Sequence, residues 1–378
     1  MSRNLKPVGL AVFWCLVGLL APLAHATAQR LDGAGLGGGF AVLTRVLEKL
    51  ERSTDMQVYQ IQLAANDVAP AASVPRPDGV RAVLAATPGN IAVLYPDMGE
   101  PYRSIFAKII EGIEGIEAQA GAPVASYAVG ANVAPAEMVA NLKRQDIRVV
   151  ITLGREGMKA AAALEREFGV VVGGVVSGPE GESRNYPVVS LAPDPGMLFE
   201  RLKQFMPGAR RVVVVYNPKQ NAWLMRLARD AARRHGLELL AVEASDLKSA
   251  VRLYQEQLAS IDPKHDALWL PQDSTTVEDS AVLPLVLEAA WSRNLAVFSS
   301  SVTHVRRGAL FSLYPNNTAL GRQLAASALN YPKNSNAPGA ATVPLKDALL
   351  AVNVRTASHL GLQLTPPRQG FDMVFPTP

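Results

Sequence analysis

Arg211-Val212-Val213-Val214-Val215-Tyr216-Asn217-Pro218 is the stretch on which the fold turns. Valine is stiff at its first side-chain torsion and crowds a helical turn, so a run of four favours a strand. The run has no polar alternation, which means that both faces of that strand are covered. The next apolar-periodic segment, 222–235, is helical, and 238–242 is a second short β-branched run. A strand, a helix and another buried strand are the unit of a parallel sheet, because parallel neighbours need a helical crossover.

The same alternation runs outward in both directions. On the N-terminal side it gives strands at 91–95, 124–128, 149–153, 170–176 and 187–191, with helices at 102–120, 134–145, 156–168 and 195–206. On the C-terminal side it gives helices at 247–259 and 280–293 and strands at 267–270 and 296–299. The cycle starts twice, so the expected fold class is α/β, with two Rossmann-like lobes of parallel sheet joined by a hinge. A further helix, 318–328, has no strand left to serve in the second cycle and returns to the first. The expected domains are therefore lobe one at 90–193 plus 316–343, and lobe two at 194–315 plus the C-terminal segment 345–378.

The first 89 residues have another texture. Arg3 and Lys6 precede an apolar run that ends in Ala24-His25-Ala26, the small-x-small pattern of a cleaved signal peptide, so 1–26 are expected to be removed on export to the periplasm. Segment 27–89 reads as a flexible leader, a short helix over 40–55 and a linker. Gly33, Gly35 and Gly38 satisfy a dinucleotide-binding spacing but follow no strand, so no cofactor is expected from them. Lys and Arg number 37 against 33 acidic residues; loss of Arg3 and Lys6 leaves 35 against 33, a charge of +2, too weak to suggest nucleic acid. The single cysteine, Cys15, lies in the expected signal peptide, which excludes disulfides, thiolate metal sites and cysteine nucleophiles from the mature chain. No later stretch approaches the roughly 18 uninterrupted apolar residues of a membrane span.

Open α/β sheets bind ligands beyond the carboxyl ends of their strands, where helix N-termini point their amides. In the first cycle those ends read Tyr95-Pro96-Asp97-Met98, Gly154-Arg155-Glu156-Gly157 and Ser177-Gly178-Pro179. In the second they read Tyr216-Asn217-Pro218-Lys219-Gln220-Asn221, Pro271-Gln272-Asp273-Ser274-Thr275-Thr276 and Ser299-Ser300-Ser301. Two lobes with these ends facing one another would enclose a cleft rich in hydroxyls and amides, suited to a small polar molecule.

These residues carry a resemblance. Residues 211–218, Leu268 to Thr275, Leu295 to Phe298, Arg307 to Leu310, Tyr314-Pro315-Asn316, Leu320-Gly321 and the closing 351–357 with Leu360-Gly361-Leu362 look like the ABC-transporter substrate-binding family that includes tryptophan and phenylalanine binders. The resemblance spans about 90–363 and implies the type I periplasmic-binding fold, closure on a ligand without catalysis, no metal, no cofactor, a monomer, and an ABC permease as inner-membrane partner. It also implies that Asp273 pairs with a ligand ammonium. Where the family commonly has a Thr-Pro-Ala-like turn this chain has Gly154-Arg155-Glu156-Gly157, and where the family often has Glu-x-Asn-Ser, Asn221 is followed by Ala222.

The expected ligand contacts are Tyr95, Met98, Arg155, Glu156 and Ser177 from lobe one, and Tyr216, Asn217, Asn221, Gln272, Asp273, Ser274, Thr275, Ser300 and Tyr314 from lobe two. Each has a plainer alternative. Asp273 could cap the helix that follows or hold its own turn, Arg155 could form a surface pair with Glu156 or a neighbour, and the three tyrosines could pack at the hinge. Ser245 and Lys248 have the S-x-x-K spacing of a serine nucleophile, but Ser245 precedes a helix and reads as its N-cap. His235-Gly236 reads as a helix C-terminus. With no clustered catalytic signature, a solute-binding protein is expected rather than an enzyme. A sensory binding protein reporting to a membrane receptor, or a small-molecule enzyme on the same fold, are the alternatives.

Overall fold

The computed structural model describes residues 90–378 apart from 101, 121–123, 130–134, 165–166, 178–185, 332–340, 365–369 and 377–378. The expected signal peptide, Cys15, and the leader with its glycine triplet lie outside the described residues.

One sheet contains β1 (Asn90–Pro96), β2 (Val124–Val129), β3 (Ile147–Leu153), β4 (Gly169–Val175), β5 (Val188–Pro193) and β11 (Thr342–Leu345), in the order β11-β5-β4-β3-β1-β2, every neighbouring pair parallel. The helices α1 (Tyr102–Ala120), α2 (Pro135–Arg144) and α3 (Gly154–Leu164) connect its strands. The second sheet contains β6 (Arg211–Tyr216), β7 (Glu238–Glu243), β8 (Asp266–Leu270), β9 (Ala296–Ser299), β10 (Phe311–Pro315), β12 (Ala348–Asn353) and β13 (Met373–Phe375), in the order β13-β12-β10-β9-β8-β6-β7. Around it lie α4 (Pro195–Phe205), α5 (Pro218–Arg234), α6 (Leu247–Ser260), α7 (Val282–Arg293), α8 (Val302–Arg307) and α10 (Val354–His359). The chain passes between the sheets at β5 to α4, after β10 to α9 (Asn317–Leu329), and from β11 to β12.

The valine run behaves as its pattern requires. Val212, Val214 and Tyr216 join Phe199, Trp269 and Phe298 on one face of the second sheet, while Val213 and Val215 join Tyr254, Leu268 and Leu270 on the other. Each of the four valines is fully buried, and burying one such side chain contributes about 1.5–3 kcal/mol. Edge strands differ: β7 and β2 are only half covered, and their sequences are correspondingly less apolar. Across the middle strands Trp269, Phe298 and Phe311 sit in register and stack, with centroids 6.3 and 5.2 Å apart. In the first sheet the same two-face division puts Ile91 and Val93 on one side and Ala92 and Leu94 on the other. Helix α9 packs on α1 through a glycine crossing: a Cβ on Gly112 would collide with the Thr318 carbonyl, and one on Gly321 with that of Ile109.

Local boundaries depart from the sequence reading where side chains cap. Helix α5 begins at Pro218 because Asn217 accepts the Lys219 N–H at 2.9 Å. Ser245 is not the cap of α6. Asp246 takes that place, accepting the Ser249 N–H at 2.7 Å, while the Ser249 hydroxyl accepts the Asp246 N–H at 3.2 Å, a reciprocal capping box. His235 caps the C-terminus of α5 and Gly236 follows at φ +64°. The second sheet is not wholly parallel, since β10 and β12 pair antiparallel. β12 enters directly from β11 in the other sheet without a helical crossover, and so arrives with the opposite sense.

Candidate functional site

At the carboxyl ends of β6 and β8 one side chain organises the rest. Asp273 is buried, and its carboxylate takes four donors from the chain itself. Oδ2 accepts the Asn217 N–H at 2.6 Å and the Asn221 amide at 3.0 Å, while Oδ1 accepts the N–H groups of Thr275 and Thr276, both at 3.0 Å. Its own carbonyl accepts the Val277 N–H at 2.9 Å. The aspartate thus holds its turn and ties it to the start of α5. It does not cap α7, whose N-cap is Ala281. Thr276 extends the tie by donating to the Val215 carbonyl at 3.2 Å, and Gln220 donates to the Thr275 hydroxyl at 3.1 Å. Gln220 and Thr276 are absent from the expected contacts. Gln220 stands in the quoted strand end one turn beyond Asn217, but its partner lies 55 residues away, beyond any local pattern.

This corner offers neutral polar groups rather than an open carboxylate. Gln272 is half-buried, with its Oε1 buried and without a hydrogen-bond partner among the described residues, whereas Asn221 is spent on Asp273 and on the Gln272 carbonyl at 3.4 Å. Ser274 is exposed and Thr275 half-buried. Ser300 is buried, accepting the Trp269 indole N–H at 3.1 Å and donating its own N–H to the Leu270 carbonyl at 3.0 Å.

Next to Ser300 the structure aligns serine, histidine and aspartate. Ser299 Oγ lies 2.7 Å from His304 Nδ1, and His304 Nε2 lies 3.5 Å from Asp279 Oδ1. Ser299 is fully buried, and its oxygen also accepts the Ser301 N–H at 2.9 Å and lies 3.1 Å from the Leu270 carbonyl. A hydroxyl with one proton, three internal partners and no exposed surface braces a turn; it has no face for a substrate. Among the described residues no group of three or more His, Cys, Asp or Glu is placed to hold a metal ion.

The tyrosines at strand ends divide. Tyr216 is buried in the core, and its hydroxyl donates to Glu243 Oε1 at 2.7 Å; burial, then this acceptor, raises its pKa above the ordinary phenol value. Tyr314 is buried in the second sheet's other layer. Tyr95 is half-buried with its ring centroid 6.4 Å from Phe106.

The first sheet's ends are barer. β3 ends at Leu153, Gly154 turns at φ +72°, and α3 begins at once, so the first-turn residues Arg155 and Glu156 stand exposed. Gly174, at φ +70°, packs against the Gly154 amide, where a Cβ would come within 3.3 Å. Glu156 pairs with Lys159 at 2.8 Å. Met98 is exposed and Ser177 half-buried beyond β4. The structure therefore brings Asn217, Asn221, Gln272, Asp273 and Thr275 into one cluster on the second sheet. The nominees from the first sheet stand at separate strand ends, and none of the nominated residues lines either of the two cavities described among the described residues.

Comparison with known proteins gives the family. No curated protein matches this chain. A ligand-free, open substrate binding protein with adhesive properties from Clostridium difficile is 17% identical, with 77% of this chain and 100% of that chain covered at a TM-score of 0.51, which supports the shared fold. A conserved domain protein from Vibrio cholerae is 20% identical (76% and 100% covered, TM-score 0.44), and an ABC domain in complex with L-Trp from Streptococcus pneumonia is 16% identical (75% and 100% covered, TM-score 0.44). The family model described as ABC transporter substrate binding protein matches residues 125–366, well over half the chain and parts of both sheets, and the chain belongs to that family.

Proposed function

We propose that this chain is a periplasmic, monomeric solute-binding protein that captures a small polar molecule between its two lobes and delivers it to an ABC-type permease in the inner membrane. The observation that carries the reading is the contrast between the Asp273-centred corner, held rigid by its own hydrogen bonds, and the exposed first turn of α3 with Arg155. A ligand gripped from both sides makes its full set of contacts only in the closed form, so binding shifts the population toward closure. Arg155 suits a carboxylate or phosphate on the solute, since a guanidinium offers a planar fork of donors. Because the Asp273 oxygens are occupied from within, the acceptor for a solute N–H or O–H is Gln272 Oε1, reached when this half-buried side chain turns the shielded oxygen outward.

The test is native mass spectrometry of the protein isolated from the periplasmic fraction. One small molecule bound per chain is expected, and the chain mass should place its N-terminus at Thr27. A protein that carries nothing and binds none of a broad metabolite mixture, or that converts the molecule it carries, would contradict the proposal.

A further inference from the structure

A groove of about 760 Å³ runs between helix α5 and the edge of the first sheet, away from every strand end considered so far. Its volume lies within the range of small-molecule sites, roughly 300–1,000 Å³. One wall is the C-terminal half of α5, with Leu227, Asp230, Arg233 and Arg234. The other is the edge strand β11, through Val343 and Pro344. Asp194 and Lys346, at two of the three crossings, also line it.

The edge of β11 is not free to add a strand. Pro344 has no N–H, its carbonyl accepts from Gln323 Nε2 at 3.3 Å, and the Lys346 N–H donates to Gln323 Oε1 at 3.4 Å. Recognition in this groove therefore falls to side chains. Arg233 is paired with Asp230, and Asp194 is committed to the Gly196 N–H at 2.8 Å, at the start of α4. Arg234 and Lys346 have no carboxylate partner among the described residues. Leu227 is 36% exposed and adds an apolar surface beside Val343 and Pro344. Three cations against two carboxylates leave one positive charge in excess.

We propose that this groove is a second binding site, for a small amphipathic monoanion: a carboxylate or sulfonate set between Arg234 and Lys346, with its apolar body against Leu227 and Val343. Such a ligand would touch helix α5 and the edge of the first sheet at once, independently of the strand-end site.

The probe is 8-anilinonaphthalene-1-sulfonate, an aromatic monoanion whose emission rises in apolar surroundings, titrated into the full exported chain. One saturable site is expected. Arg234→Gln and Lys346→Gln should each weaken it about three- to tenfold, in line with loss of one partly exposed charged contact, and Leu227→Ser by a similar factor. Arg252→Gln, on the exposed side of α6 and paired with Glu256, should leave the affinity unchanged. Thermal melts of all four variants should match the parent, because these side chains stand outside the core. Absence of saturable emission, or one affinity shared by every variant, overturns the assignment.

Discussion

The strand ends of the two sheets are built from similar residues and held in different ways. In the second sheet, Asp273 gathers four donors and is itself buried, so the turn after β8 and the start of α5 form one cross-linked corner. In the first sheet, the turn after β3 relies on Gly154 at φ +72°, with Gly174 of β4 packed against its amide, and the side chains of Arg155 and Glu156 are exposed, Glu156 pairing with Lys159. A buried carboxylate whose lone pairs are all taken fixes shape, whereas an exposed arginine on a helix's first turn can move to meet a ligand. Under the proposed function, the same α/β frame supplies one preset jaw and one adaptable jaw.

Substitutions at the two corners should therefore separate stability from affinity. The largest effect is expected at Asp273. Alanine there leaves buried N–H groups unpaired and should cost about 3–5 kcal/mol in thermal or chemical unfolding. Asparagine should cost less, about 1–3 kcal/mol, because one oxygen remains, but its amide would face the donors of Asn217 and Asn221. Full stability in the asparagine variant would break the comparison by showing that the corner needs no anion. Arg155→Ala should do the opposite, leaving stability within about 0.5 kcal/mol and weakening binding of the co-purified solute about thirtyfold or more by calorimetric titration, from the lower end of what losing a buried charged contact costs.

Smaller effects sharpen the picture of the rigid jaw. Tyr216→Phe removes the hydrogen bond to Glu243 and should cost about 1 kcal/mol. Tyr254, buried behind the corner, has a pKa pushed up by burial and then by the charge of Asp273. For both tyrosines the folded state holds its proton above the unfolded value near 10, so the stability tied to them is present below that pH and falls as pH rises past it. Tyr254→Phe should shift neutral-pH stability by less than about 1 kcal/mol, since its hydroxyl has no partner among the described residues, and should flatten the alkaline loss seen in melts above pH 10.

Much of this frame was legible as local pattern. Val212 to Val215, flanked by a helix and another apolar run, specify a doubly covered strand without reference to anything distant. The ends of β6 and β8 could be marked for the same reason, and there Asn217, Asn221, Gln272, Asp273 and Thr275 do cluster. What could not be read depends on residues far apart. The four donors of Asp273 include two from residues more than 50 positions away, and only their convergence distinguishes a saturated carboxylate from one awaiting an ammonium. β11 and β13 span four and three residues, too short to show a period, and β11 contains a proline. The antiparallel sense of β12 follows from its arrival out of the other sheet. Tyr216 and Tyr314 look like strand-end rings in sequence, but the neighbouring layers bury them.

The most direct test of the two-jaw account is small-angle X-ray scattering on the protein stripped of its solute, measured before and after the co-purified molecule is added to saturation. The account predicts a fall in the radius of gyration that follows the binding isotherm in the parent, and the same fall in Arg155→Ala only at correspondingly higher solute concentration. Saturable binding with an unchanged radius of gyration would contradict it, because a ligand held by both jaws cannot leave their separation unaltered.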